Sequence, residues 1–79
     1  MSEKENVLRI LEEIKPTVNL ENINDIIDGG YLDSMELMGL IAGITDVFGV
    51  EIGFECITPE NFNSVDAITE MVCSLKAQI

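Results

Sequence analysis

Ser34 is the side chain of this sequence that is best placed to take part in a chemical reaction. It follows Asp33 directly, and residues 30–37 read GYLDSMEL. The hydroxyl group therefore lies at the start of an expected amphipathic helix, where free backbone N–H groups and the helix dipole favour an anion. A phosphodiester on Ser34 suits this setting, and Asp33 can help to hold the Mg²⁺ that phosphoryl-type transfer requires. Taken alone, the same pair is also an ordinary helix cap and the residue after it.

Catalysis by this chain alone is not indicated. The sequence contains no His, so neither a Ser–His nor a Cys–His nucleophile pair can form. No G-x-S-x-G segment surrounds Ser34 or Ser64, and no Walker or dinucleotide-binding glycine pattern occurs. Cys56 and Cys73 are too far apart for a C-x-x-C motif, so we expect two buried or half-buried free thiols. The sequence predicts a protein that is not an enzyme.

A calcium-binding loop is an alternative, because acidic residues are dense before the expected helix. If Gly30 were the sixth residue of an EF-hand loop, Asp25 would be the first ligand and Glu36 the twelfth. The third and fifth ligands would then be Ile27 and Gly29, which offer no side-chain oxygen. We therefore predict no metal site, and a Ca²⁺ titration would test the alternative of a cation-binding protein.

The first element is an amphipathic helix followed by a long connection. Ser2 and Glu5 form a capping-box pattern, and Pro16 stops the helix. Its apolar residues recur at helical spacing: Val7, Ile10, Leu11 and Ile14. The connection over residues 16–33 is unusually long for so small a domain, and long loops tend to be functional.

The second helix carries Ser34 at its start. Asp33 is a suitable N-cap, and we expect the helix to end near Phe48 with Gly49 after it. At about 100° per residue, one side of this helix is apolar and must face the core. The members of this inner stripe are Leu37, Leu40, Ile41, Ile44 and Phe48.

Two further helices are predicted downstream. Thr58 and Pro59 are the cap and first residue of a short helix, and Asn63 or Ser64 caps the last one. The apolar residues of the last helix are Val65, Ile68, Val72, Leu75 and Ile79. The sequence thus predicts an all-α fold, a small four-helix bundle of three main helices and a short third helix, with a long first loop. We expect one domain over residues 1–79.

The charge is strongly acidic and unevenly distributed. Fifteen acidic residues and four basic ones give a formal net charge of −11. Between Pro16 and Leu75 there are eleven acids and no Lys or Arg. Such a surface repels nucleic acid and anionic lipid, so we predict neither as a partner and expect attraction to basic protein surfaces. Acidity of this kind also serves simply to keep a small protein in solution.

The apolar segments predict no membrane insertion. The longest run of apolar residues and glycines, residues 37–44, is far too short to cross a bilayer. The chain does not open with a charged segment followed by an apolar one, as a secretory signal would. We expect a cytoplasmic monomer.

Over essentially its full length, the chain resembles the acyl and peptidyl carrier protein family. The family's Asp-Ser-Leu attachment motif is present as Asp33-Ser34-Met35. Residues 48–52, FGVEI, are similar to the close of the family's second helix. Residues 57–68, ITPENFNSVDAI, resemble its short third helix and the start of its fourth. The Asp-Ser pair alone is a weak signal, but the three segments together at these spacings are a specific one.

This resemblance implies that Ser34 is the attachment site for 4′-phosphopantetheine. In the family, a separate phosphopantetheinyl transferase moves this group from coenzyme A onto the serine. Its thiol then carries acyl or aminoacyl groups as thioesters between loading and processing enzymes. By the same resemblance, Asp33 belongs to the attachment motif, and Met35 is the apolar residue that partner enzymes usually contact. Cys56 and Cys73 need no reactive role, because the reactive thiol belongs to the cofactor.

Two departures from the family concern the second helix. Met35 replaces the more common Leu, a mild change in size. Gly39, Gly43 and Thr45 stand where fatty-acid carriers often have acids. This favours an aminoacyl or specialised acyl cargo over housekeeping fatty acids. An unmodified helical adaptor of the same fold remains the alternative.

The predicted contact surface for partners is the arc of the second helix opposite its inner stripe. We place six residues on it: Met35, Glu36, Gly39, Ala42, Gly43 and Asp46. Two glycines there are unusual, because each costs about 1 kcal/mol of helix stability relative to alanine. One interpretation is a shallow surface for a partner helix, and the other is a bend of the helix or a close approach to the long loop.

Overall fold

The computed structural model describes residues 3–77, and the fold is all-helical over that range. Four α-helices form a compact bundle: α1 (Glu3–Ile14), α2 (Ser34–Phe48), α3 (Pro59–Phe62) and α4 (Val65–Ala77). The prediction of an all-α fold is confirmed. A turn of 3₁₀ helix at Phe54–Cys56 precedes α3 and was not predicted. No helix within residues 3–77 is long and apolar enough to cross a membrane.

Local capping groups determine where the helices begin and end. Asp33 caps α2, and Thr58 Oγ1 accepts a hydrogen bond of 3.4 Å from Asn61 N at the start of α3. Gly49 ends α2 with φ 67°, a left-handed conformation that glycine adopts without strain. Ser64, rather than Asn63, caps α4, because its Oγ accepts a hydrogen bond of 3.0 Å from Ala67 N. Ser2 and Ile79, predicted for the two outermost helix ends, lie outside the described residues.

The hydrophobic core is built from all four helices and from the long connection. Leu40 and Ile44 of α2 are fully buried, and the rest of its predicted stripe is partly buried against the core. The connection adds three buried side chains: Leu20, Ile26 and Leu32. Burying a side chain of this size stabilises the fold by about 1.5–3 kcal/mol. The long connection is therefore fastened to the bundle at three points along its length.

The ion pairs found within residues 3–77 all join α1, or the residue that follows it, to another helix. They are Lys4–Asp66 at 3.4 Å, Lys76–Glu3 at 2.8 Å and Lys15–Glu36 at 3.2 Å. The hydrogen bond between Lys76 and Glu3 lowers the pKa of Glu3 and raises the pKa of Lys76. Three of the four basic residues are thus used at the edges of α1, which leaves the surface beyond it strongly acidic.

Candidate modification site

The start of α2 is held by a reciprocal capping box around Ser34. Asp33 Oδ1 accepts a hydrogen bond of 2.8 Å from Glu36 N, and Glu36 Oε1 accepts one of 3.0 Å from Asp33 N. Asp33 has an extended backbone, with φ −87° and ψ −177°, so the chain enters the helix abruptly at Ser34. A Ser, Thr or Asp cap of this kind stabilises a helix by about 1 kcal/mol. The backbone that carries Ser34 is therefore fixed on both sides.

Ser34 is the first residue of α2, and it is exposed on the surface. Asp33 and Met35 on either side are exposed as well. The 15 residues of α2 extend away from Ser34, so its hydroxyl group lies at the positive end of the helix dipole. The hydroxyl group is therefore accessible to a large partner molecule, in a place where a negative charge is stabilised.

Lys15 connects the end of α1 to this site. Its backbone N–H donates a hydrogen bond of 2.8 Å to Leu11 O, which extends the last turn of α1. Its Nζ lies 3.2 Å from Glu36 Oε1, the same oxygen that accepts the bond from Asp33 N. The Lys15 and Glu36 side chains are only 29% and 25% exposed. Sequence reasoning missed this contact, because the two residues lie 21 positions apart and belong to different elements.

Two of the six residues predicted for the outward arc of α2 instead face α1. A Cβ atom at Gly43 would lie 2.9 Å from Ile10 Cγ2, which is closer than carbon atoms pack, so α1 packs closely against α2 at Gly43. Glu36 also points to the α1 side, towards Lys15. The placement of Gly43 and Glu36 on the outward arc is thus wrong. Their helix is crossed by α1 on that side, and the sequence does not reveal the crossing.

The remaining outward residues form an exposed surface beside Ser34. Met35 is 84% exposed and Met38 is 62% exposed, and Ala42 and Asp46 continue the same side of α2. We call Met35, Met38, Ala42 and Asp46 the outer surface. Met38 was not predicted, although its helical spacing from Met35 and Ala42 would have found it. Gly39 is exposed at its margin, and a Cβ atom there would meet only Ile14 Cδ1, at 3.9 Å.

Phe54 is a second exposed apolar side chain that sequence reasoning missed. It belongs to the 3₁₀ turn after α2 and is 91% exposed. Exposed acids flank it at Glu51 and Glu55. No periodicity indicates its exposure, because the 3₁₀ turn is too short to have an amphipathic repeat.

The structure offers no built metal site near Ser34. Within residues 3–77, no group of three or more acidic or Cys side chains could hold a metal ion. Glu36, the twelfth ligand of the calcium-loop alternative, already accepts hydrogen bonds from Asp33 N and Lys15 Nζ.

Two clefts within residues 3–77 lie away from Ser34. One, of about 490 Å³, lies between α1 and the first part of the connection, and includes Leu11, Pro16 and Leu20. The other, of about 320 Å³, lies between α3 and α4 and includes Cys56. The predicted burial of the thiols is confirmed for half-buried Cys56 and is wrong for Cys73, which is exposed. Ser34 lines neither of these two clefts.

Among known proteins, no family model matches the chain, and no curated protein matches it at a significant level.

Proposed function

We propose that this chain is a carrier protein, modified on Ser34 with 4′-phosphopantetheine, that presents acyl or aminoacyl thioesters to partner enzymes. The observation that carries the proposal is the exposed Ser34 at the start of a capped α2, inside the Asp33-Ser34-Met35 motif. The proposal assigns no catalytic residue to the chain, which acts as the substrate of a phosphopantetheinyl transferase and then of loading and processing enzymes.

The residues around Ser34 fit such a group. A phosphodiester on its Oγ would lie at the positive end of α2, where an anion is favoured. Asp33 uses Oδ1 in the cap, so Oδ2 is the atom that can help to hold Mg²⁺ during transfer. The exposure of Ser34 and Met35 leaves room for a flexible arm to extend into solvent. When bound, the group supplies a thiol that forms thioesters.

The attachment step is a phosphoryl-type substitution with Ser34 Oγ as the nucleophile. Oγ forms a bond to the phosphorus atom nearest the pantetheine end of coenzyme A, and the phosphoanhydride bond of that phosphorus breaks. The electron pair of the broken bond leaves with adenosine 3′,5′-bisphosphate. The hydroxyl proton passes to a base of the transferase, because the chain has no His and Asp33 is assigned to the cap and to Mg²⁺.

The arrangement of the helices supports the same proposal. Three long helices, a short α3 and a connection of residues 15–33 are the arrangement that the resemblance to carrier proteins implies. The outer surface adds exposed apolar atoms next to Ser34, and the acidic charge favours partner enzymes with basic surroundings. Docking through Met35 and Met38 rather than through a row of acids agrees with an aminoacyl or specialised acyl cargo.

The test is the mass of the intact protein after incubation with coenzyme A, Mg²⁺ and a broad-specificity phosphopantetheinyl transferase. We expect the mass to rise by one phosphopantetheine group. Ser34→Ala should abolish the gain, because the nucleophile is removed. Ser74→Ala is the matched control: Ser74 is exposed on α4, and its loss should leave the gain unchanged.

An unchanged mass with several such transferases would contradict the proposal. The same exposed apolar surface would then favour the adaptor alternative, in which the unmodified chain binds a partner through Met35 and Met38.

A further inference from the structure

Asn63, between α3 and α4, binds a distant part of the long connection through both its backbone and its side chain. Its carbonyl oxygen accepts a hydrogen bond of 2.9 Å from Ile26 N. Its Oδ1 accepts bonds of 3.0 Å from Ile27 N and 3.1 Å from Asp28 N. Its Nδ2 donates one of 3.0 Å to Asp28 Oδ2. Four hydrogen bonds thus join residues that are about 35 positions apart in the sequence.

These bonds hold a turn that leads directly to the proposed modification site. Tyr31 N donates a hydrogen bond of 3.0 Å to Ile26 O and closes the turn over residues 26–31. Ile26 is fully buried and Leu32 is 7% exposed, so the turn is anchored in the core on both sides. Asp33 follows immediately. The 26–31 turn is therefore the part of the connection that lies next to Ser34 along the chain.

Only an amide fits the side-chain bonds of Asn63. The acceptor must serve two backbone N–H groups, and the donor must face a carboxylate, which fixes the orientation of the amide group. The helix cap of α4 does not need this side chain, because Ser64 provides it. The sequence allows either residue as the cap, and the structure leaves Asn63 free for the turn.

We propose that Asn63 is a positioning residue for the modification of Ser34, because it holds the 26–31 turn in the shape that a phosphopantetheinyl transferase contacts. This inference rests on the proposed function. Without the Asn63 side chain, two backbone N–H groups lose their acceptor, and the turn samples other shapes. The transferase must then order the turn on binding, which weakens binding of the carrier and leaves the chemistry at Ser34 unaltered.

The first test is steady-state transfer from coenzyme A, with the concentration of the carrier varied. For Asn63→Ala we expect the KM for the carrier to rise at least fivefold, with kcat within twofold of wild type. Val72→Ala is the control for a general loss of stability, because Val72 is fully buried in α4 and makes none of the hydrogen bonds that hold the turn. It should lower the melting temperature and leave KM unchanged.

The second test exchanges the amide group of Asn63 and the carboxylate of Asp28, which face each other. Asn63→Asp places two carboxylates about 3 Å apart and should raise KM as much as Asn63→Ala. Asp28→Asn keeps an acceptor for Nδ2 and should be close to wild type. The double variant Asn63→Asp/Asp28→Asn restores one amide facing one carboxylate, and it should return KM to within twofold of wild type.

The outcomes separate this inference from the proposed function. If wild type is modified and Asn63→Ala has an unchanged KM, Asn63 is not a positioning residue and the carrier proposal stands. If the double variant stays as impaired as Asn63→Asp, the contact between the side chains at positions 63 and 28 does not affect the modification of Ser34, and the inference is overturned. If wild type is not modified by any transferase, both proposals fail.

Discussion

Two sides of α2 have a similar amino-acid composition, but one packs against α1 and the other is exposed. The side that meets α1 contains Gly43 and Glu36, and the outer surface contains Met35, Met38, Ala42 and Asp46. Both sides are poor in charge, and small residues occur on each. On the α1 side the small residue admits a neighbouring helix of the same protein. On the outer surface the exposed apolar residues have no partner within residues 3–77 that buries them.

This difference teaches that a helix side with little charge and a glycine is not by itself a docking surface. Gly43 is small because Ile10 occupies the space that its side chain would fill. Glu36 is charged because it completes the cap of α2 and pairs with Lys15. Variants on the α1 side should therefore change stability, and variants on the outer surface should change only the recognition of Ser34.

Gly43→Val should have the largest effect on the free energy of unfolding. The added Cβ would lie 2.9 Å from Ile10 Cγ2, so α1 and α2 must move apart, at a cost of about 3 kcal/mol. Gly39→Val is the matched control, since a Cβ there meets only Ile14 Cδ1 at 3.9 Å. It should change the free energy of unfolding by less than about 0.5 kcal/mol. Urea denaturation of both variants measures the difference.

A double variant shows whether Ile10 is the cause. In Ile10→Ala/Gly43→Val the methyl group that blocks position 43 is absent. The loss of stability should fall short of the sum of the single losses by about 1 kcal/mol or more. Strict additivity, or equal losses for the two glycine variants, would show that α1 does not restrict this side of α2.

Glu36→Lys should have the next largest effect, a loss of about 2 kcal/mol. It removes the acceptor for Asp33 N, places a positive charge at the start of a helix, and sets two lysines side by side at Lys15. Glu36→Gln keeps an oxygen for Asp33 N and should lose less than about 1 kcal/mol. Thermal melts followed by circular dichroism measure both variants. Equal losses for Lys and Gln would mean that neither the oxygen acceptor for Asp33 N nor a second positive charge beside Lys15 matters here.

Glu36 also illustrates which parts of the site could be predicted from sequence. The ends of α2 follow from neighbouring residues: Asp33 caps its start, and Gly49 ends it in a left-handed backbone conformation. Such signals act within one helical turn, so the sequence is sufficient. The role of Ser34 as a helix start is local in the same way. Its modification remains a prediction.

What sequence reasoning could not predict depends on contacts between distant residues. Gly43 faces α1 because of the angle at which two helices separated by residues 15–33 cross, and no local pattern encodes that angle. Asn is a residue type that often caps helices, yet Asn63 Oδ1 accepts its hydrogen bonds from Ile27 N and Asp28 N. Asn63 and Ser64 could each serve as cap at this point, so only the folded chain shows that Ser64 does.

Met35→Glu should have the smallest effect on stability and a clear effect on modification. Met35 is 84% exposed, and an acid in the first turn of α2 is favourable for the helix dipole, so the free energy of unfolding should change by less than about 0.5 kcal/mol. The kcat/KM for transfer to Ser34 should fall about tenfold, which corresponds to about 1.4 kcal/mol of lost contact with the transferase. Met35→Leu keeps an apolar side chain and should stay within twofold of wild type. Val47→Glu makes the same charge change on α2 about 18 Å further along the helix, and it should leave the rate unchanged. If Val47→Glu slows transfer as much as Met35→Glu does, the added charge is the cause, and the outer surface is not where the transferase binds.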